Sequence, residues 1–101
     1  MTQDDLRRSV QTATGFCVPS ALRKVAPLFP AVQQRKILDA ADVCERAPTL
    51  ENIEAARETV HTAAHEFPGD SPAYAAGHAA AYAAAAAYTA ATVYQEHLRA
   101  G

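Results

Sequence analysis

The sequence has no tryptophan, two cysteines and only four glycines among its 101 residues. Four scattered glycines cannot build a phosphate-binding loop or a dinucleotide-binding turn. Cys17 and Cys44 are too few and too far apart for a disulfide framework, and they lack the CxxC or Cys/His spacing of a metal site. We therefore expect both cysteines to be small buried hydrophobic residues in a reducing cytosol.

Several structural classes are excluded by patterns that the sequence lacks. Nowhere do β-branched or aromatic residues alternate with polar ones over four or more positions, so strands are not expected. The N-terminal residues are not followed by the apolar segment of a secretory signal. The longest apolar run, residues 79–91, has no leucine or isoleucine and is too short to span a bilayer. We predict a cytoplasmic protein with no membrane partner.

Charge and motifs exclude two broad functions. Residues 1–47 hold seven basic and five acidic side chains, whereas residues 48–101 hold two basic and six acidic ones. The basic doublets at 7–8, 23–24 and 35–36 have acidic neighbours and no interleaved aromatic residues, so we expect no nucleic-acid partner. No nucleophile elbow is present either. The sequence therefore predicts that the protein is not an enzyme and needs no cofactor.

The sequence is rich in residues that form helices. About a quarter of the residues are alanine, which is the best helix former. A chain of this length is also typical of one domain that can bury a sufficient core. We therefore predict a single domain over residues 1–101 with an all-α fold, a compact bundle of about five helices that ends in a long alanine-rich helix.

Capping residues, prolines and glycines set the predicted helix boundaries. Thr2 should cap the first helix and Gly15 should end it, because glycine tolerates the left-handed cap conformation. Pro19 suits the first turn of a second helix, which Pro27 and Pro30 should end. The apolar residues of this helix that we expect to face inward are Leu22, Val25, Leu28 and Phe29. The remaining predicted helices cover residues 32–46, 49–67 and 71–98.

The last predicted helix carries an unusual face. Tyr74, Ala81 and Tyr88 recur every seven residues, and His78 and Tyr82 lie beside them. Alanine buries little area per residue, so neighbouring helices must approach this helix closely to stabilise it. The face is predicted either to pack in the core of a monomeric bundle or to form a homodimer interface.

Two histidines have the spacing of helical metal ligands. His61 and His65 lie four residues apart, which places both imidazoles on one helix face. A zinc site needs a third and usually a fourth ligand, which Glu58, Glu66 or His78 could supply across a bundle. The alternative is that the histidines are half-buried and hydrogen-bonded. We expect no functional metal, and a metal-dependent helical-bundle enzyme built on these histidines is the alternative function that the cluster leaves open.

Alanine and histidine recur in several short segments between residues 16 and 94. These segments are Val25-Ala-Pro-Leu-Phe29, Ala55-Ala-Arg-Glu-Thr-Val-His-Thr-Ala-Ala-His65, Ala75-Ala-Gly-His-Ala-Ala-Ala81 and Ala90-Ala-Thr-Val-Tyr94. Together with the third helix, they resemble the alanine- and histidine-rich immunity proteins of bacterial polymorphic-toxin systems. The resemblance implies an all-α protein that binds and neutralises a protein toxin or effector and has no enzymatic activity.

The surface predicted to bind such a partner is the acidic outer side of the fourth helix. It comprises Glu51, Glu54, Glu58 and Glu66. Many toxins are basic, and acidic side chains speed their encounter with a binding protein. The alternative is that these carboxylates are ordinary solvent-facing charges. A second class of function is a helical homodimerising adaptor or accessory module, for example of a phage.

Overall fold

The structure is a computed structural model that describes residues 2–100. No strand is present in that range, and the chain forms a bundle of four helices. We name them α1 (residues 3–28), α2 (Ala31–Arg46), α3 (Leu50–His65) and α4 (Pro72–Ala100). The predicted all-α fold is confirmed, but the number of helices is four and not five.

Helix α1 is continuous where the sequence predicted two helices. Its parts are Gln3–Thr12 (α), Ala13–Cys17 (π), Val18–Val25 (α) and Ala26–Leu28 (3₁₀). Gly15 has no positive φ, so it does not take the left-handed conformation that ends many helices. The predicted break at Gly15 is therefore wrong.

Pro19 gives a physical reason for the π turn. A proline inside a helix cannot donate to the carbonyl four residues earlier, which here is that of Gly15, and its ring crowds this carbonyl. A wider turn relieves both problems, and the Val18 N–H donates to the Ala13 carbonyl five residues earlier. The helix thus continues through Pro19.

The other local signals act as predicted. Thr2, Thr49 and Ser71 each accept a hydrogen bond from the backbone N–H three residues later, at 3.1, 3.2 and 3.2 Å. Phe29 is extended, with φ −108° and ψ 154°, and Pro30 follows it, so α1 ends where the prolines indicated. These caps fix the starts of α1, α3 and α4.

Small residues line the inner face of α4. The chain packs α4 chiefly against α3, while α2 lies against α1 and α3. The buried residues of α4 recur at alternating spacings of four and three, and include Ala73, Gly77, Ala80, Ala84, Ala87 and Ala91. At Gly77 an added Cβ would lie only 2.6 Å from the Ala64 Cβ. The close approach predicted for the alanine-rich helix is confirmed.

The larger core side chains come from the other three helices. Those that are fully buried include Val18, Leu22, Ile37, Ile53 and Val60.

Two sequence predictions about burial are wrong. Leu28 is 50% exposed, because the 3₁₀ turn that ends α1 places Phe29 and not Leu28 in the core. Cys17 is exposed at the end of the π turn, whereas Cys44 is buried as predicted. The Cys44 thiol donates to the Asn52 carbonyl at 3.2 Å.

Helix α4 is the longest element, with 29 residues. Its last six residues, 95–100, are all exposed. No helix within residues 2–100 combines the length and the hydropathy needed to cross a bilayer.

Candidate functional site

Three histidines from two helices meet at the α3–α4 interface. His61 and His65 lie one turn apart on α3, and His78 follows Gly77 on α4. Because Gly77 has no side chain, α4 can approach Ala64 closely, and this contact places His78 beside the pair on α3. We call His61, His65 and His78 the histidine cluster.

The rings of the histidine cluster are close enough together to bind one common ion. The Nε2 atoms of His61 and His65 are 3.1 Å apart. One ligand atom from each of the three residues can be chosen so that all lie within 4.8 Å of one another. Ring centroids are separated by 4.4 Å for His61 and His65, and by 5.1 and 5.0 Å from each of these to His78. The three rings meet edge to face.

The environment of His61 favours its neutral imidazole. Partial burial lowers the pKa of His61, and positive charge on His65, His78 or Arg57 lowers it further. Neutral imidazole is the form that binds metal ions. The Nε2 atom of His78 is buried and has no hydrogen-bond partner among the described residues. A buried polar atom of this kind is costly unless something binds it.

Tyr74 packs on the histidine cluster from the same face of α4. Its ring lies 4.3 Å from that of His78 and 5.8 Å from that of His65, measured between centroids. The closer of these contacts restricts the orientation of the half-buried His78 imidazole. The sequence pattern placed Tyr74 and His78 on one predicted core or dimer face. It did not connect Tyr74 with His65, because that contact depends on how α3 and α4 pack.

Of the residues proposed to complete a metal site, only His78 is near the pair. Within residues 2–100 the group of potential ligands is limited to the three histidines, and no carboxylate joins it. Glu66 instead accepts a hydrogen bond from the Gln33 side chain on α2. Glu58 and Glu66 both line a groove between α2 and α3. The two glutamates therefore lie on the acidic surface and are not part of the histidine cluster.

Three of the four predicted partner-binding glutamates lie on α3 and Glu66 follows directly at its C-cap, but the four differ in environment. Glu54 is half-buried and accepts two hydrogen bonds of 3.1 Å from the Arg57 Nε, and this interaction lowers the pKa of Glu54. Glu51, Glu58 and Glu66 are exposed, and none has a lysine or arginine ion-pair partner in the described part of the chain. We call these three residues the acidic face.

A groove runs beside the acidic face, between α2 and α3. Its volume is about 360 Å³, and Glu58 and Glu66 line it together with Gln33 and Lys36 of α2 and small side chains of α3. An open groove with carboxylates at its rim fits a protruding basic side chain better than an enclosed small molecule.

The residues predicted to form one face of α4 do not share a single environment. Ala81 is buried, and Tyr74, His78 and Tyr88 are half-buried. Tyr88 packs against the hydrophobic core, whereas Tyr82 is 80% exposed. Tyr82 belongs instead to an outer stripe of α4 in which every residue is exposed: Ala75, Ala79, Tyr82, Ala86, Thr89 and Val93.

Comparisons of the chain with protein-family models, with curated proteins and with solved structures each find no match. The resemblance to immunity proteins therefore stays a prediction.

Proposed function

We propose that the chain is a protein-binding domain of the immunity type, which binds a toxin or effector protein in the cytoplasm and neutralises it without enzymatic activity. The observation that carries this proposal is the acidic face, where Glu51, Glu58 and Glu66 are exposed and form no ion pair with a lysine or arginine of residues 2–100. The kind of partner comes from the resemblance of residues 16–94 to immunity proteins.

Three physical features suit the acidic face to binding a basic protein. Helix α3 is held on both sides, by α2 and α4, so its side chains are displayed on a preformed surface. Binding to a preformed surface loses less conformational entropy than binding that must order a segment. Unpaired carboxylates on one face also attract a basic partner and raise its association rate. The groove beside Glu58 and Glu66 offers a place for one lysine or arginine of that partner.

The proposal is tested by identifying the partner and then reversing the charge of the acidic face. Tagged protein is used to isolate its partner from native cells, and the toxicity of that partner is measured with and without the domain. We expect Glu51→Lys/Glu58→Lys to lower the association rate about tenfold or more and to weaken its salt dependence. Glu54 is left intact, because its removal would leave Arg57 without its partner.

The matched control is Asp39→Lys/Glu96→Lys, which makes the same change in net charge at exposed positions on α2 and α4. This variant should retain the affinity and the protection. If both double variants protect cells equally well, the acidic face is not the surface that binds the partner. If the isolated partner is not toxic, the proposed function itself is wrong.

The outer stripe of α4 favours a second function, self-association as a helical adaptor. Its exposed residues recur at alternating spacings of four and three, the pattern that aligns a stripe on one side of a helix. Tyr82 and Val93 are 80% and 56% exposed. Solution mass over a range of concentrations tests this function. A dimer that Tyr82→Lys converts to a monomer would support it, and a monomer at all concentrations would refute it.

A further inference from the structure

We propose that His61, His65 and His78 form a binding site for a divalent transition-metal ion, with Zn²⁺ as the ion and a fourth coordination position left for water. The site lies at the α3–α4 interface, apart from the side chains of the acidic face. It goes beyond the proposed function, and either one can fail without the other.

The spacing of the nitrogens is close to that of a three-histidine zinc site. In a tetrahedral site with Zn–N bonds of about 2.0–2.1 Å, any two ligand nitrogens lie about 3.3 Å apart. The Nε2 atoms of His61 and His65 are 3.1 Å apart, so this pair is nearly in position. One nitrogen of His78 lies within 4.8 Å of a nitrogen of His61 and of one of His65. Rotation of the exposed His65 and a small movement of His78 would bring all three nitrogens to one ion.

The chemistry of the donors selects the class of ion. Three imidazoles without a carboxylate suit zinc and its neighbours, whereas magnesium and calcium require oxygen ligands. A site with three protein ligands leaves one tetrahedral position open, and His65 is exposed, so water can reach that position. The ion would be bound by neutral ligands and would keep its full charge.

The structure also gives a reason why the site would bind an ion. Two neutral histidines can satisfy each other with one hydrogen bond, as His61 and His65 can. The buried Nε2 of His78 has no such partner among residues 2–100. A bound cation would coordinate this nitrogen and remove its desolvation cost. Tyr74 already packs against the ring of His78, with 4.3 Å between centroids, which reduces the entropy that this ring loses on binding.

An ion in this position would also link α3 to α4. Ligands that bind only the folded state stabilise it by mass action. Zinc at about 100 times its dissociation constant should therefore raise the Tm of a domain of this size by roughly 10–20 °C. This shift separates a specific site from loose binding to surface histidines, because binding that is equally strong in the unfolded chain produces no shift.

The test uses the whole chain, purified without a histidine tag and stripped with a chelator. Calorimetric titration with ZnCl₂ and thermal unfolding give the stoichiometry, the affinity and the rise in Tm, while Co²⁺ reports tetrahedral coordination by its visible absorption. We expect one ion per chain. At the same zinc concentration, the exposed His65→Ala variant should bind tenfold to a hundredfold more weakly and show about half or less of the rise in Tm.

The chain offers a matched control in its fourth histidine. His97 is exposed in the last turns of α4 and stands outside the cluster, so His97→Ala should bind zinc as the unmodified chain does. His78→Gln provides a second test on α4, with circular dichroism of the metal-free protein as the check of folding. Absence of binding, a Tm that zinc does not raise, or equal affinity in His65→Ala and His97→Ala would each overturn the proposal.

Discussion

The close contact between α3 and α4 at Gly77 leads to a prediction that opposes helix propensity. Alanine is a better helix former than glycine by about 1 kcal/mol, so Gly77→Ala should stabilise α4 if only local effects counted. However, the added Cβ would lie 2.6 Å from the Ala64 Cβ and 3.1 Å from the Phe29 Cζ. Carbon atoms pack at about 3.5–4.0 Å, so the two helices would have to separate by about 1 Å.

The cost of this separation exceeds the gain in propensity. Ala64 has no flexible side chain to move away, so the backbones of α3 and α4 must shift. Overpacking of this kind costs about 3 kcal/mol at the upper end of its usual range. After subtraction of the gain of about 1 kcal/mol, Gly77→Ala should lower the free energy of unfolding by about 2 kcal/mol. In a domain of this size the Tm should fall by roughly 8–16 °C.

Thermal and urea unfolding of Gly77→Ala and Gly15→Ala would measure the effect. Gly15→Ala is the matched control, since its Cβ would meet nothing closer than the Pro48 Cγ at 3.8 Å, an ordinary contact. Gly15→Ala should therefore raise the Tm by roughly 4–8 °C. In Ala64→Gly/Gly77→Ala, the methyl group moves from α3 to α4, and we expect the two changes to be less destabilising together than their sum. A Tm for Gly77→Ala at or above that of the unmodified chain would refute the reasoning.

Two further predictions concern Glu54 and the cysteines. Because the interaction with Arg57 lowers the pKa of Glu54 from its ordinary 4.5, its stabilisation is present above pH 4.5 and is lost as the pH falls through the folded-state pKa. Glu54→Gln should lower the Tm by about 2 °C at pH 7, and this effect should shrink as the pH falls through the folded-state pKa of Glu54; an effect that does not change with pH would contradict this origin. A thiol reagent should modify the exposed Cys17 quickly and the buried Cys44 only as the domain unfolds, because burial also raises the pKa of Cys44. Cys17→Ser should remove the fast phase, and a fast phase in that variant would show that Cys44 is accessible.

The parts of the fold that the sequence predicted well are those that local chemistry determines. A threonine or serine hydroxyl at an N-cap bonds to an amide three residues away, so Thr49 and Ser71 act within their own turn. Pro30 likewise affects only its immediate neighbours. Such features do not depend on what the helix packs against, and a single sequence contains the information needed.

Features that depend on how a neighbouring turn adjusts to a residue were predicted less well. Glycine ends a helix only when it adopts a positive φ, and proline begins one only when the preceding turn does not adjust to it. At Gly15 and Pro19 one π turn accommodates both residues, and the helix continues. The pattern of residues shows where a helix is weak, but whether it breaks there depends on the energy gained by packing the following turns.

The histidine cluster shows the same division between local and distant information. The pair His61 and His65 follows from helical spacing alone. The choice of His78 over Glu58 and Glu66 as the third member depends on the register of α4 against α3, which no local signal specifies. That register is set where Gly77 packs against Ala64, one residue from His78 and one from His65.

The stability of the bundle and the geometry of the histidine cluster therefore have a common cause. Small residues on α4 allow a backbone separation at which Gly77 fits against Ala64, and at that separation His78 reaches the pair on α3. Larger residues on the inner face of α4 would bury more apolar area, but they would also move His78 away from its partners. The many alanines of α4 bury less apolar area than larger residues would, but they allow α3 and α4 to pack closely. The convergence of the three imidazoles depends on that close contact.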